Sequence, residues 1–205
     1  MAKQRLLLPN GDIDFVGENT GKVVIANDEQ MFGEFDQIGL EPAEWDFWSR
    51  VDIAAAATTR ASFFTVAFNP NDPAAGNMEA AGMFPTPQLF FCKGFSIRVL
   101  ENEAQADADL VLNAGVLKLS IADKTRFFKE ATSCPASGGS YSSLTTRPYN
   151  GIPDVRNMDL QRHWLRFQTL QQFFVTLEFG SPGITPSAIT SVVVTMHGMW
   201  GRQSQ

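Results

Sequence analysis

The sequence predicts an all-β fold, an antiparallel β-sandwich or barrel of about eight strands joined by long loops. Three observations lead to this expectation. Apolar and polar residues alternate with a period of two in most patterned segments, clusters of Gly, Pro, Ser and Asn separate those segments, and helical spacing is scarce. The chain has 205 residues, which is enough for one domain with its own core. We therefore expect residues 1–205 to form a single domain.

The amino-terminal segment, residues 1–20, is predicted to form an arm or a hairpin. Asn10-Gly11 is the strongest two-residue hairpin signal, although Pro9 beside it removes a hydrogen-bond donor from the first strand. The next strands are predicted over residues 21–26, 45–57 and 59–68. The alanine run after Ile53 leaves a helical turn open as an alternative at that point.

Alternation is clearest in the second half of the chain. In residues 94–100, Phe95 and Ile97 point one way while Ser96 and Arg98 point the other. Such a strand has one buried and one wet face, as antiparallel sheets commonly do. The same pattern predicts strands over residues 115–124, 172–179 and 189–200.

Helices are predicted to be few, and two loops are unusually long. Residues 157–172 fit either a few helical turns or an extended strand, and residues 101–112 are expected to hold one turn. The connections 69–88 and 131–157 exceed the roughly 12–15 residues beyond which structureless loops become uncommon. Ordering them costs conformational entropy, and contacts with a neighbouring subunit are the simplest compensation. Residues 201–205 are predicted to form a short carboxy-terminal tail.

Charge and hydropathy argue against several functional classes. The formal net charge is −6, and the first twelve residues carry only Lys3 and Arg5. Nucleic-acid binders usually have a basic patch that releases counterions, so no direct nucleic-acid binding is expected. No apolar run approaches a signal-peptide core or the about 20 residues of a membrane span. We therefore expect synthesis in a cytoplasm, with no signal peptide or transmembrane segment.

Few residues carry catalytic or metal-binding chemistry, so no catalytic, cofactor-binding or metal-binding residue is assigned and no enzymatic activity is expected. Cys92 and Cys134 lack CxxC spacing, which favours two reduced thiols. Cys134 lies in the Ser- and Gly-rich loop, where a histidine as base would make it a nucleophile. A hydrolase using Cys134 is therefore an alternative function, although no known nucleophile signature surrounds this residue. The loop interpretation is preferred.

The two histidines and the acidic clusters receive ordinary interpretations. His197 is placed on the strand face opposite Val194 and Met196, without a predicted partner, and His163 is also unassigned. The acidic residues within 101–109, and those after the predicted hairpin turn, lack EF-hand spacing. We expect solvated charge clusters there rather than calcium sites.

Aromatic usage is dominated by phenylalanine, with 17 Phe and 4 Trp against 2 Tyr. Phenylalanine lacks a polar tip and suits cores and dry interfaces, so we expect most of these rings to be buried. Core positions are the default for the tryptophans too, and intersubunit anchoring is the alternative. The candidate interface residues are Trp45, Trp48, Phe84, Tyr149 and Trp200.

Four strand-like segments and one loop carry the chain's resemblance to a known family. The segments are "FFCKGFSIRVL", "VLKLSIADK", "FFVTLEF" and "VVVTMHGMW", with the long Ser/Gly/Pro loop after the second. In this pattern the chain resembles the jelly-roll capsid proteins of tailless, lipid-containing icosahedral phages, over residues 45–200. The resemblance lies in the pattern, so no functional residue is carried over.

The resemblance implies a single jelly roll that self-assembles into an icosahedral shell and is located in the virion. Its implied partners are copies of itself, other capsid proteins and an internal membrane, because the chain lacks the basic arm that would meet nucleic acid. The alternative is a carbohydrate- or receptor-binding β-sandwich module of a phage appendage. Such a module would use Trp45, Trp48 or Trp200 as an exposed platform.

Overall fold

The computed structural model describes residues 4–7, 13–16, 25–26, 28–100, 104–121, 124–134 and 164–203. The strands in this part of the chain are β1 (Gln4–Leu7), β2 (Ile13–Val16), β3 (Ile25–Ala26), β4 (Leu40–Ile53), β5 (Arg60–Phe63), β6 (Leu89–Val99), β7 (Val116–Ile121), β8 (Lys124–Glu130), β9 (Trp164–Phe167), β10 (Phe173–Glu178) and β11 (Thr190–Gln203). The α-helices are α1 (Asp28–Ile38) and α2 (Gln105–Ala114), and a short 3-10 helix spans Ala131–Ser133. Neither α-helix is long and apolar enough to cross a membrane.

Two antiparallel sheets dominate the fold. One has the strand order β3-β9-β6-β11-β4 and the other the order β5-β10-β7-β8. Every pairing between neighbouring strands in them is antiparallel, and β1 and β2 form a separate antiparallel pair. The predicted all-β class with antiparallel sheets and few helices is therefore confirmed.

The main core lies between the two sheets and is rich in phenylalanine. Phe95 of β6 contacts Phe127 of β8 with ring centroids 5.0 Å apart, and Phe167 of β9 contacts Phe173 of β10 at 4.9 Å. Rings from opposite sheets therefore touch, which is the arrangement of a β-sandwich. Burying one such side chain contributes roughly 1.5–3 kcal/mol, so this cluster is a principal source of stability.

A smaller core covers one end of the outer face of the five-stranded sheet. Phe35 of α1 packs against Leu89 and Phe91 of β6, and the rings of Phe35 and Phe91 meet edge to face at 5.2 Å. Phe90 and Cys92 of the same strand face the main core. This end of β6 is thus apolar on both faces, and we call the region under α1 the helix-covered end of the sheet.

Most predicted strands are present, with shifted ends. The segments around 94–100, 115–124, 172–179 and 189–200 correspond to β6, β7, β10 and β11. β11 continues to Gln203, three residues into the predicted tail. The alanine run after Ile53 forms neither helix nor strand. Of the segment 59–68 only β5 is a strand, because Phe64 has a φ of 59°, a left-handed conformation that interrupts extended structure.

The amino-terminal pairing agrees with the hairpin prediction. β1 and β2 pair antiparallel, with Leu7 opposite Ile13, while Asn10 and Gly11 lie outside the described residues. β3 falls within the predicted segment 21–26.

Several elements differ from the prediction. No helix is predicted where α1 lies, α2 is longer than the single turn expected, and β8 is a further strand. Within the ambiguous segment 157–172, residues 164–167 are extended as β9, and residues 157–163 lie outside the described part. In β8, buried Phe127 is followed by exposed Phe128, so two adjacent rings hide the alternation.

Hydrogen bonds from β4 hold part of the long connection 69–88. Asn77 Oδ1 accepts a hydrogen bond from the Trp48 backbone N–H at 2.8 Å, and Asn77 Nδ2 donates to the Asp46 carbonyl at 2.8 Å. Ala75 O accepts from the Arg50 backbone N–H at 2.8 Å. These bonds line residues 75–77 along the outer edge of β4, so part of this connection is ordered by the chain itself.

Candidate functional site

A polar groove lies at the other end of the outer face of the five-stranded sheet. Its volume is about 480 Å³, within the roughly 300–1,000 Å³ range of small-molecule sites. We call it the outer-sheet groove. Its lining residues are Asp46, Trp48, Arg50, Ala74, Ser96, Arg98, Leu100, Val193, Thr195 and His197.

Strand register brings these side chains together in three rows. β11 runs between β6 and β4, and alternate residues of all three strands point to the outer face. Thr195 lies between Ser96 and Trp48, and His197 lies opposite Asp46. In a separate row, Val193 lies between Arg98 and Arg50.

His197 joins two strands through both nitrogens of its ring. Its Nδ1 lies 2.8 Å from Asp46 Oδ1, and its Nε2 lies 2.7 Å from Ser96 Oγ. An ionised Asp46 can only accept, so Nδ1 carries the proton in this contact. In the neutral ring, Nε2 then accepts a hydrogen bond from the Ser96 hydroxyl. The order of groups is carboxylate, imidazole, hydroxyl.

A β-bulge lies beside His197. The pairing of β11 with β6 shifts between His197 and Gly198, so that His197 pairs with Gly94 while Gly198 pairs with Cys92. The additional residue in β6 is Lys93. Bulges re-aim side chains and are enriched next to functional sites. Gly198 permits the close approach of the strands here, because a Cβ at this position would collide with the Phe91 carbonyl oxygen.

Arg50 and Arg98, the two arginines of the groove, differ in their carboxylate partners. The Arg50 guanidinium lies 3.5 Å from the Asp72 carboxylate and 3.8 Å from that of Asp52. Arg98 is exposed on β6 and has no carboxylate within ion-pair distance among the described residues. Among the described residues, Arg50 on the β4 side of the groove is therefore paired with carboxylates, and Arg98 on the β6 side is not.

This chain of hydrogen-bonded side chains, Asp46 to His197 to Ser96, has the order and distances of a serine hydrolase triad. The usual oxyanion donor is already engaged in another hydrogen bond, however. In many such enzymes the backbone N–H of the residue after the nucleophile stabilises the oxyanion. Here that group is the Ile97 N–H, which donates to the Cys134 carbonyl at 2.8 Å. The Ile97 N–H is therefore not free to stabilise an oxyanion in this structure.

The predicted interface residues differ in their location and exposure. Trp48 lines the outer-sheet groove. Trp45 is 42% exposed and contacts Trp200 at 5.2 Å, while Trp200 is half-buried against the main core. Phe84 is only 1% exposed, so it is a core residue with no surface for a neighbour. Tyr149 lies outside the described residues.

The cysteines are buried thiols. Burial strongly raises the pKa of the Cys92 thiol, which keeps it protonated. Cys134 is 1% exposed and belongs to the main core, so it is a core residue and not part of an exposed loop. The remaining residues of the connection 135–157 and His163 lie outside the described residues.

Asp107 corrects the expectation of a solvated acidic cluster. It is 4% exposed and accepts hydrogen bonds from the Ser187 hydroxyl at 2.6 Å and the Ser187 backbone N–H at 2.8 Å. These bonds lower the pKa of the Asp107 carboxyl. The residue thus ties α2 to the chain that leads into β11. No group of three or more metal-binding side chains occurs in the described ranges.

The outer-sheet groove was not predicted from the sequence, although one of its signals is visible there. His197 does lie on the face opposite Val194 and Met196, as predicted, because those two are buried in the core. Its partners Asp46 and Ser96 are far away along the chain. The outward polar residues of the strand 94–100 were the available clue.

Comparison of the chain with protein-family models, with curated proteins and with solved structures finds no match.

Proposed function

We propose that this chain is a single jelly roll that serves as a structural protein of a phage shell, located in the virion. The observation that carries this proposal is the strand order of the two sheets. Strands β4, β11, β6 and β9 are neighbours in one sheet, and β5, β10, β7 and β8 are neighbours in the other. From β4 to β11, every connection takes the chain from one sheet to the other, except the connection from β7 to β8.

That interleaving supports the jelly-roll assignment. A jelly roll distributes eight strands over two sheets as two Greek keys, and viral capsid proteins and lectins are among the proteins that use it. In this proposal, the β1 and β2 pair, β3 and α1 are additions to the eight strands. The fold alone does not select one function, so the surfaces of the sheets have to support the choice.

The outer face of the four-stranded sheet offers a contact surface for a neighbouring copy. Phe128 of β8 is 63% exposed and Phe174 of β10 is 49% exposed. Their neighbours Phe127 and Phe173 are buried in the main core, so the exposed rings point away from it. The two rings lie on strands that flank β7, and exposed aromatic side chains on one sheet face favour protein contacts. Copies of this chain and other shell proteins are the proposed partners, with an internal membrane on the inner side.

Light scattering of the purified chain, followed by electron microscopy of any large species, tests this function. We expect discrete closed oligomers or shells. The double variant Phe128→Ser/Phe174→Ser should shift the protein to monomers while retaining its unfolding midpoint, because both rings are already in solvent in the single chain. Phe32→Ser is the matched control, since Phe32 is 45% exposed on α1 and belongs to the other sheet's cover.

The proposal fails if the wild-type chain stays monomeric at high concentration, with and without lipid vesicles. If the double variant and the control assemble equally well, a shell is still supported, but the four-stranded sheet is not its contact surface.

A further inference from the structure

We propose that the outer-sheet groove binds a small hydroxylated carboxylate, of which a sugar acid is the representative class. This site goes beyond a structural role and does not depend on shell assembly. It is argued from the hydrogen-bonding polarity, the charge and the shape of the groove.

The contact between Asp46 and His197 fixes the polarity of Ser96. In the neutral imidazole, Nδ1 donates to Asp46 and the Ser96 hydroxyl donates its hydrogen to Nε2. The free lone pairs of Ser96 Oγ are then available to accept a hydrogen bond from a ligand. A ligand hydroxyl group is a donor that fits this acceptor.

Arg98 supplies the charge that a carboxylate needs. It lies two residues from Ser96 on the same face of β6, which corresponds to about 7 Å along a strand. Its guanidinium can hold a carboxylate through two parallel hydrogen bonds. The groove therefore fits a ligand whose hydroxyl and carboxylate lie a few ångströms apart, as they do on a sugar-acid ring.

The remaining walls fit such a ring. Thr195 forms the floor between Ser96 and Trp48, and the half-buried Trp48 supplies an aromatic wall on the β4 side. Aromatic faces stabilise the apolar face of a ring, while hydroxyl groups satisfy its polar edge. Asn77 holds the Trp48 backbone in place, so this wall is preformed.

Titration calorimetry of the full chain with D-glucuronate, D-galacturonate and N-acetylneuraminate tests the proposal. We expect saturable binding of at least one of these acids, and binding weaker by about tenfold or more for glucose and for the methyl ester of glucuronate, which lack the charge. Arg98→Gln should weaken binding of the acid by about tenfold or more and abolish the preference for acid over ester. Arg60→Gln, on β5 in the other sheet, is the matched control and should bind as wild type does.

Ser96→Ala provides the second test. It removes the acceptor while leaving Arg98 in place, so affinity should fall for sugar acids but not for acetate, which has a carboxylate and no hydroxyl. Thermal unfolding of each variant shows that the fold is retained. Absence of saturable binding to all three sugar acids overturns the proposal, as does equal affinity for acid and ester or an unchanged affinity in Arg98→Gln. None of these outcomes bears on the proposal that the chain assembles into a shell.

Discussion

The two ends of the outer face of the five-stranded sheet use the same three strands in opposite ways. At the helix-covered end, β6 presents Leu89 and Phe91 outward and α1 buries them. Beyond the bulge at His197 and Gly198, the same strand presents Ser96 and Arg98 outward, and the outer-sheet groove is open. The inner face stays apolar along the whole strand.

The difference shows that one strand can change its environment within a few residues. Where both faces are apolar, a second layer must cover the outer one, and α1 does so. Where polar residues alternate with apolar ones, the outer face can meet solvent. The bulge marks the boundary between these regions and lies beside His197. The helix-covered end therefore adds a second, smaller core, and the other end leaves polar side chains facing the groove.

Removal of a ring from the helix-covered end should give the largest effect. We expect Phe91→Ala to lower the free energy of unfolding by about 3–5 kcal/mol, because it leaves a cavity between α1 and the sheet. Phe32→Ala on the exposed side of α1 should change it by less than about 0.5 kcal/mol. Urea denaturation measures both. Similar losses for the two variants would contradict the description of α1 as a cover.

The bulge can be tested at its glycine. Gly198→Ala should destabilise the fold by about 1–3 kcal/mol or more, since the added methyl group meets the Phe91 backbone, which cannot move aside cheaply. The same substitution at Gly33 in α1 meets no atom within 4 Å and should stabilise by about 0.5–1 kcal/mol. Opposite signs in thermal unfolding would support the boundary, and equal signs would argue against it.

Asn77 holds the connection 69–88 against β4 at the groove. Asn77→Ala removes the acceptor for the Trp48 N–H and the donor to the Asp46 carbonyl, and we expect a loss of about 1–2 kcal/mol. Asn69→Ala, which removes an exposed local bond to the Asn71 N–H, is the control. Trp fluorescence should also shift in Asn77→Ala, because the Trp48 wall loosens. An unchanged spectrum and midpoint would show that residues 75–77 do not hold β4.

The smallest effect concerns a carboxylate at the helix-covered end. Glu34 of α1 lies 2.7 Å from Arg166 of β9. Burial raises the pKa of the Glu34 carboxyl above its ordinary value, although Arg166 opposes the shift. A folded pKa above the unfolded one means that the folded state binds the proton more tightly, so this contribution to stability falls as pH rises from about 4.3 through the raised value.

Glu34→Gln should remove that pH dependence. The unfolding free energy of the wild type minus that of the variant is expected to decrease over this window by less than about 1 kcal/mol. Denaturation at several pH values from 4 to 7 measures the difference. A difference that increases with pH would show that attraction to Arg166 outweighs burial.

Much of the fold could be predicted from the sequence because its strands carry their own patterns. β6, β7, β10 and β11 alternate in a way that only a half-buried strand requires. α1 was missed although Met31 and Phe35 are four residues apart, since their apolar partners lie on β6 and are not local. β8 was missed because its two adjacent phenylalanines face opposite sides.

The outer-sheet groove was harder to predict, since it depends on register. Asp46, Ser96 and His197 come together only when β11 pairs with β4 and β6 at one particular alignment. A shift of one residue would turn all three side chains to the other face. Nothing local to His197 specifies its partners. The core position of Phe84 is likewise a consequence of where its long connection returns to the sheet.

The central position of β11 has a consequence for how the chain is made. β4 and β6 do not pair with each other and meet only through β11, which is the last of these three strands to leave the ribosome. Until then, the edges of β4 and β6 that β11 will join lack their backbone hydrogen-bond partners, and pairing across so much sequence is slow. Nascent chains of this protein should therefore depend on chaperones to prevent aggregation until β11 inserts.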